Sequence, residues 1–143
     1  MIITNKQLTK NDFEQITKIW LDSNLEVHNF IKKSYWLRNV NYVKQALLKA
    51  EILAYKVEDE ILGFTGVKEE YIEGLFVADS QRGKGIGSEL LAELKNQHDT
   101  LKLFVYKKNQ KAVNFYLAKD FQIFSEELEE ETGELNISMF WKK

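Results

Sequence analysis

From Leu75 to Ser88 the chain reads Leu75-Phe76-Val77-Ala78-Asp79-Ser80-Gln81-Arg82-Gly83-Lys84-Gly85-Ile86-Gly87-Ser88. A strand-like apolar run ends, glycine alternates at 83, 85 and 87, and Ile86, Leu90, Leu91 and Leu94 then recur at helical spacing. Glycine lets the backbone take unusual dihedrals and lets a ligand approach closely. A helix start adds unpaired N–H groups and the positive end of a dipole. Together they predict an anion site suited to a pyrophosphate, with Arg82 and Lys84 supplying charge at its rim. Two nucleotide patterns do not fit. GxxxxGKS/T is absent, and GxGxxG requires glycine where Ser88 stands. The loop also follows a hairpin in mid-chain rather than a first strand.

A second candidate lies just upstream. Glu73 sits in the apolar run Tyr71 to Val77, where strict alternation places it on one face with Leu75 and Val77. A carboxylate there can take the proton that an alkylammonium must lose before it attacks, or it can simply bind the cation.

These residues need a scaffold, and its elements are readable. Ile2 to Leu8 reads as a first strand. Asn11 or Asp12 caps a helix with the stripe Phe13, Ile16, Ile19 and Trp20. The pattern breaks around Ser34 and resumes as a second helix through Val40, Val43, Ala46 and Leu47. Ile52 to Val57 and Ile61 to Val67 flank Glu58-Asp59-Glu60 as a hairpin, and Tyr71 to Val77 is a fourth strand. After the glycine loop and its helix, Leu101, Leu103 and Val105 alternate as a strand. Asn109 caps a helix carrying Ala112, Phe115 and Tyr116. Phe121 to Leu128 and Leu135 to Trp141 close as a hairpin around Thr132-Gly133. The order β-α-α-β-β-β-α-β-α-β-β predicts an α/β fold on a mixed sheet.

Composition removes several function classes. The 143 residues fit one domain spanning 1–143. Hydrophobic residues make up 44% and charged residues 29%, as in ordinary globular chains. There is no cysteine, so no acyl group can be carried on a thiol and no thiolate metal site exists. Two histidines, His28 and His98, lack metal-ligand spacing, so no metal is expected. A net charge of -2 gives no basic field for nucleic acid. No apolar run approaches the ~20 residues of a membrane helix, and Met1-Ile2-Ile3-Thr4 does not open a signal peptide. A cytoplasmic protein without a membrane partner is expected.

The segment resembles the coenzyme A loop of the GNAT superfamily of N-acetyltransferases, Q/R-x-x-G-x-G/A, at Arg82, Gly85 and Gly87. Asn109, Ala112, Phe115, Tyr116 and Phe121 match that superfamily's N-x-x-A-x-x-F-Y segment and its terminal Phe. The segment Ile19-Trp20 and His28-Asn29-Phe30-Ile31 looks like a small bacterial branch. The resemblance implies a GNAT fold and acetyl-CoA as co-substrate. It implies a coenzyme site formed by Leu75, Phe76, Val77, Arg82, Gly83, Lys84, Gly85, Ile86, Gly87, Ser88, Asn109 and Ala112. It implies Tyr116 as the acid that protonates the departing thiolate, against the plainer reading of a core aromatic. The thioester should lie where the fourth and fifth strands splay apart, its carbonyl polarised by a backbone N–H near Leu75 or Phe76. Asn109 can cap its helix, bond the pantetheine amides, or both.

The implied reaction is direct attack by a small-molecule or protein amine in a ternary complex. Glu73 is then the candidate base, and His28, Phe30 and Tyr35 border the acceptor. A non-catalytic acyl-CoA-binding or sensing module is the alternative. A homodimer is compatible with the resemblance. Two departures stand out: Asp120 where the pattern often has glycine before Phe121, and Ser80 near the place of a frequent proline. Glu126, Glu127, Glu129, Glu130 and Glu131 form an acidic run, read as a solvated face or as a steering field for a cationic acceptor.

Overall fold

The computed structural model describes all residues, Met1–Lys143. A seven-stranded mixed sheet runs in the order β1-β2-β3-β4-β5-β7-β6. Its strands are β1 Ile2–Thr4, β2 Glu51–Val57, β3 Glu60–Lys68, β4 Tyr71–Val77, β5 Thr100–Tyr106, β6 Gln122–Glu129 and β7 Glu134–Lys142. The helices are α1 Lys10–Val27, α2 Lys33–Arg38, α3 Val40–Lys49, α4 Ile86–Gln97 and α5 Gln110–Ala118.

The sheet carries a core on each face. On one side Ile72, Leu103 and Val105 pack against Leu90, Leu91 and Leu94 of α4 and Val113 and Tyr116 of α5. On the other, Ile52, Ala54, Ile61 and Phe64 pack against Ile16 and Ile19 of α1 and Leu47 of α3. The alternation read in β5 and β7 therefore puts Leu101, Leu103, Ile137 and Met139 inside.

Three sequence expectations change. The first strand stops at Thr4 instead of continuing to Leu8. The Thr4 amide donates to Gln7 Oε1 at 3.0 Å, turning Asn5–Gln7 into a 3-10 turn. Asn5 then does with its side chain what a longer strand would do with backbone. It donates to Ala50 O at 2.9 Å and accepts from the Ile52 amide at 2.7 Å. The cap of α1 is Thr9, not Asn11 or Asp12. Its hydroxyl accepts the Asp12 amide at 3.1 Å, while Asp12 Oδ2 accepts the Thr9 amide at 2.9 Å. Lastly, the break around Ser34 holds the short helix α2, too brief to show an apolar period.

Asp120 explains itself. It has φ +71 and follows the end of α5. Its amide donates to Leu117 O at 3.2 Å, and the Phe121 amide donates to Tyr116 O at 3.0 Å. These are the two bonds of a Schellman ending, and Phe121 packs edge-on against Tyr116, with 5.4 Å between ring centroids. Asp takes the left-handed position less readily than Gly, yet the ending forms.

The parting of the sheet matters most for function. The parallel ladder between β4 and β5 consists of Tyr71↔Lys102 and Ile72↔Leu103 and goes no further. Beyond it β4 stays with β3 while β5 turns toward β7, and a cleft opens between them.

Candidate functional site

The cleft between β4 and β5 encloses about 1060 Å³. Glu73, Leu75, Phe76 and Val77 of β4 form one wall, and Phe104, Val105 and Tyr106 of β5 the other. The start of α4 closes one end through Gly87, and α5 contributes Asn109, Ala112, Phe115 and Tyr116. The end of α1 and α2 cover it with Asn24, His28 and Trp36.

The direction of the β4 amides follows from three contacts. The Ala78 amide donates to Leu62 O at 2.8 Å. Gly74 O accepts the Thr65 hydroxyl at 2.7 Å, and Phe76 O lies toward Gly63. Gly74, Phe76 and Ala78 thus turn their backbone polar groups to β3. By alternation Leu75 and Val77 turn theirs to the cleft, where β5 has left. Of the two expected amides, Leu75 and Phe76, it is that of Leu75 which faces the opening.

The glycine loop behaves as an anion cradle should. Gly83 and Gly85 have φ +80 and +84, and no protein atom lies within 4 Å of where a Cβ would stand on either. Gly85 is the N-cap of α4 and offers no side-chain cap. The first amides of α4, Ile86, Gly87 and Ser88, are thereby left for a ligand. The Ile86 side chain itself is buried in the core. The flanking charges are arranged differently from expectation. Arg82 donates to Glu26 Oε1 at 3.0 Å, to Asp79 Oδ1 at 3.4 Å and to Val77 O at 3.3 Å, binding α1 to the loop. Lys84 is exposed and donates to Gln81 Oε1 at 3.3 Å.

Glu73 is also placed by a feature that strict alternation misses. Gly66 pairs with Gly74 and Val67 with Ile72, so Glu73 is the extra residue of a β-bulge. As a result Ile72 packs in the same core layer as Leu75 and Val77, and Glu73 does not share their face by simple parity. The bulge holds its exposed carboxylate at the cleft mouth, where no cation pairs with it.

Tyr116 is 7% exposed, and burial alone pushes its phenol well above the ordinary range. It therefore stays protonated with no hydrogen bond acting on its phenol, and Tyr116 lines the cleft. Ala112 lies one turn before it on the same face of α5, leaving room beside the phenol.

His28 completes a chain of hydrogen bonds. Asn109 Oδ1 accepts the Ala112 amide at 3.2 Å, so its Nδ2 donates to His28 Nε2 at 3.0 Å. Asn24 Nδ2 donates to Trp20 O at 2.9 Å, so its Oδ1 accepts from His28 Nδ1 at 2.7 Å. This fixes one neutral tautomer, with both nitrogens occupied. Burial lowers the His28 pKa to about 4. His28 thus orients Asn109 rather than serving as a base at neutral pH. Phe30 and Tyr35 stand behind this wall. Phe30 packs on His28 at 5.6 Å, and Tyr35 packs on Trp36 at 4.9 Å.

A pH effect follows. Between pH 6.5 and 4 the unfolded chain protonates His28 while the folded chain does not, so acid favours unfolding across that window. Denaturant titrations should show a loss approaching about 3 kcal/mol over it, at up to 1.36 kcal/mol per pH unit. His28→Gln should flatten that slope. An unchanged slope would mean that His28 does not titrate with folding.

Sequence reading did not single out Tyr106 or Asn24, and named Glu129 only as one member of an acidic run; all three line the cleft. A usable signal exists for Tyr106, which ends β5 at the carboxyl end of a parallel pair, where open sheets bind ligands. No local pattern marks Asn24, and the acidic run does not set Glu129 apart from its neighbours. No group of three His, Cys, Asp or Glu side chains is arranged to hold a metal. No helix is long and apolar enough to cross a membrane.

Residues 24–142 match the family model described as acetyltransferase (GNAT) domain. The chain is 32% identical over 138 residues to the peptidyl-lysine N-acetyltransferase YiaC of Escherichia coli K12, covering 95% of this chain and 94% of that one. It is 25% identical over 124 residues to the peptidyl-lysine N-acetyltransferase YjaB of the same organism, covering 86% and 84%. The apo solution structure of Escherichia coli YjaB superposes with a TM-score of 0.83 at 21% identity, covering 99% of this chain and 97% of that one.

Proposed function

Because the chain belongs to the GNAT family of acetyltransferases and transfers acetyl groups from acetyl-CoA to an amine, we propose that its acceptor is a lysine side chain of a protein or peptide. The two relatives, both peptidyl-lysine N-acetyltransferases, support this acceptor class. The observation that carries the mechanism is the convergence on one cleft of the Leu75 amide, the Tyr116 hydroxyl and the Glu73 carboxylate. Residues 1–143 act as one catalytic domain.

In this reading the α4 amides and the Gly83–Gly85 loop hold the pyrophosphate, and Asn109, held by His28, meets the pantetheine. The thioester lies in the parting of β4 and β5. Glu73 takes one proton from the lysine ammonium, directly or through water, and releases it to solvent. The free amine attacks the thioester carbon, and the Leu75 N–H stabilises the resulting oxyanion. The carbon–sulfur bond breaks as Tyr116 gives its proton to sulfur. The remaining excess proton on nitrogen restores the tyrosine through solvent. The products are acetyl-lysine and free coenzyme A.

The test is acetyl-CoA turnover on lysine peptides, followed by mass spectrometry as the gain of one acetyl group. Glu73→Gln should lower kcat by about 10-fold or more and remove the acidic limb of the kcat/KM profile. A raised KM with unchanged kcat would make Glu73 a binding group only. Identical kinetics at every pH would remove it from both roles.

A further inference from the structure

Within the acidic run of the last hairpin one residue differs from the rest. Glu126, Glu127, Glu130 and Glu131 are exposed, but Glu129 is half-buried at the end of β6 and lines the cleft. Its carboxylate is held from three sides. Oε1 accepts the Tyr106 hydroxyl at 2.8 Å and the Thr132 hydroxyl at 2.8 Å. Oε2 accepts Asn136 Nδ2 at 2.9 Å. A carboxylate offers about four lone-pair sites, so one on Oε2 stays open. No lysine or arginine fills it: the nearby Lys107 and Lys108 pair instead with Glu126 at 2.9 Å and Glu134 at 2.7 Å. Burial and the neighbouring Glu129 both push the Tyr106 phenol up, so it remains a donor to this carboxylate.

A second, independent feature lies in the same cleft. Trp36 is 6% exposed and lines it, and its indole Nε1–H has no acceptor. That nitrogen has no accessible surface, so Trp36 offers the cleft its ring rather than its N–H. The wall therefore holds an unfilled acceptor site on a carboxylate beside an aromatic ring. The ring of Tyr106, which also lines the cleft, lies 6.4 Å from that of Trp36, and both suit an alkylammonium.

We propose that Glu129, oriented by Tyr106, Thr132 and Asn136, receives the ammonium of the acceptor lysine. This rests on the reading of the cleft as the acetyl-transfer site. Glu129 selects the charged side chain, and Glu73 then removes its proton.

The test compares two short peptides, identical except for lysine or norleucine at one position, by calorimetry on the full chain saturated with coenzyme A. The parent should bind the lysine peptide about 10-fold more tightly or better, the scale of one charge-assisted hydrogen bond. Glu129→Gln should bring that preference close to one while the variant stays folded and its acetyl-CoA affinity stays that of the parent. Glu127→Gln, on the exposed part of the same strand, should leave the preference intact. Should Glu129→Gln fail to fold, Tyr106→Phe keeps the carboxylate and removes one of its holders, and should lower the preference several-fold. A parent that binds both peptides alike, or a preference untouched in the folded variants, overturns the inference and leaves acetyl transfer standing. A parent that discriminates between the peptides yet acetylates no lysine would overturn the acceptor reading instead.

Discussion

Tyr116→Phe should bind acetyl-CoA as the parent does and turn over about 100-fold more slowly, a loss of about 3 kcal/mol of transition-state stabilisation. The substitution deletes one oxygen from a ring that packs edge-on between Phe115 at 5.2 Å and Phe121 at 5.4 Å. Ring packing is kept, and the hydroxyl has no protein partner whose loss would disturb the fold. The missing group is the proton that the thiolate takes as it leaves. An acetyl thioester with a more acidic thiol needs that proton less, so it should recover part of the rate. Stopped-flow or coupled measurement of thiol release on both donors checks this. Parental turnover by Tyr116→Phe would make the tyrosine a core aromatic and leave thiolate protonation to water.

Gly85→Val should abolish measurable acetyl-CoA binding, a loss on the order of 100-fold or more, since several charge-assisted contacts to the pyrophosphate are lost together. A Cβ added there has no protein atom within 4 Å beyond its own chain neighbours. It projects into the space that the ligand's phosphates need, above the free amides of α4. A valine at φ +84 also strains the loop, so stability will fall too. Gly133→Val separates the two effects. Gly133 has φ +73 and equally open surroundings, but it lies in the turn between β6 and β7. It should lose comparable stability and keep its acetyl-CoA affinity in calorimetry. Normal affinity in folded Gly85→Val would sink the assignment of this loop to the pyrophosphate.

Much of this site was local information and so was legible in the chain. Three alternating glycines followed by Ile86, Leu90, Leu91 and Leu94 specify a left-handed loop entering a helix, because φ and periodicity are properties of neighbours in sequence. The cap at Asn109 and the spacing of Ala112 to Tyr116 are local in the same way. The alternation of Leu135, Ile137, Met139 and Trp141 placed β7 with its inner face correct. What failed locally failed by competition among close alternatives. Thr9, Asn11 and Asp12 are all good caps, and only the reciprocal pair Thr9–Asp12 distinguishes them.

The sequence by itself determined the strand-loop-helix here proposed to cradle a pyrophosphate, the phenol at Tyr116 and the absence of any thiol for covalent transfer. The tertiary structure alone decided three things. It ended the β4–β5 ladder at Ile72↔Leu103, which frees the Leu75 amide. It put Glu73 in a bulge against β3, which turns that side chain out of simple alternation. It joined His28 to Asn109 across 81 positions, and Glu129 to Tyr106 across 23. The reason is physical: periodicity reports which face a residue takes within its own element. Where two strands part, where a register slips and which distant donor meets a carboxylate are set by how separate elements pack. No spacing along the chain encodes that packing directly.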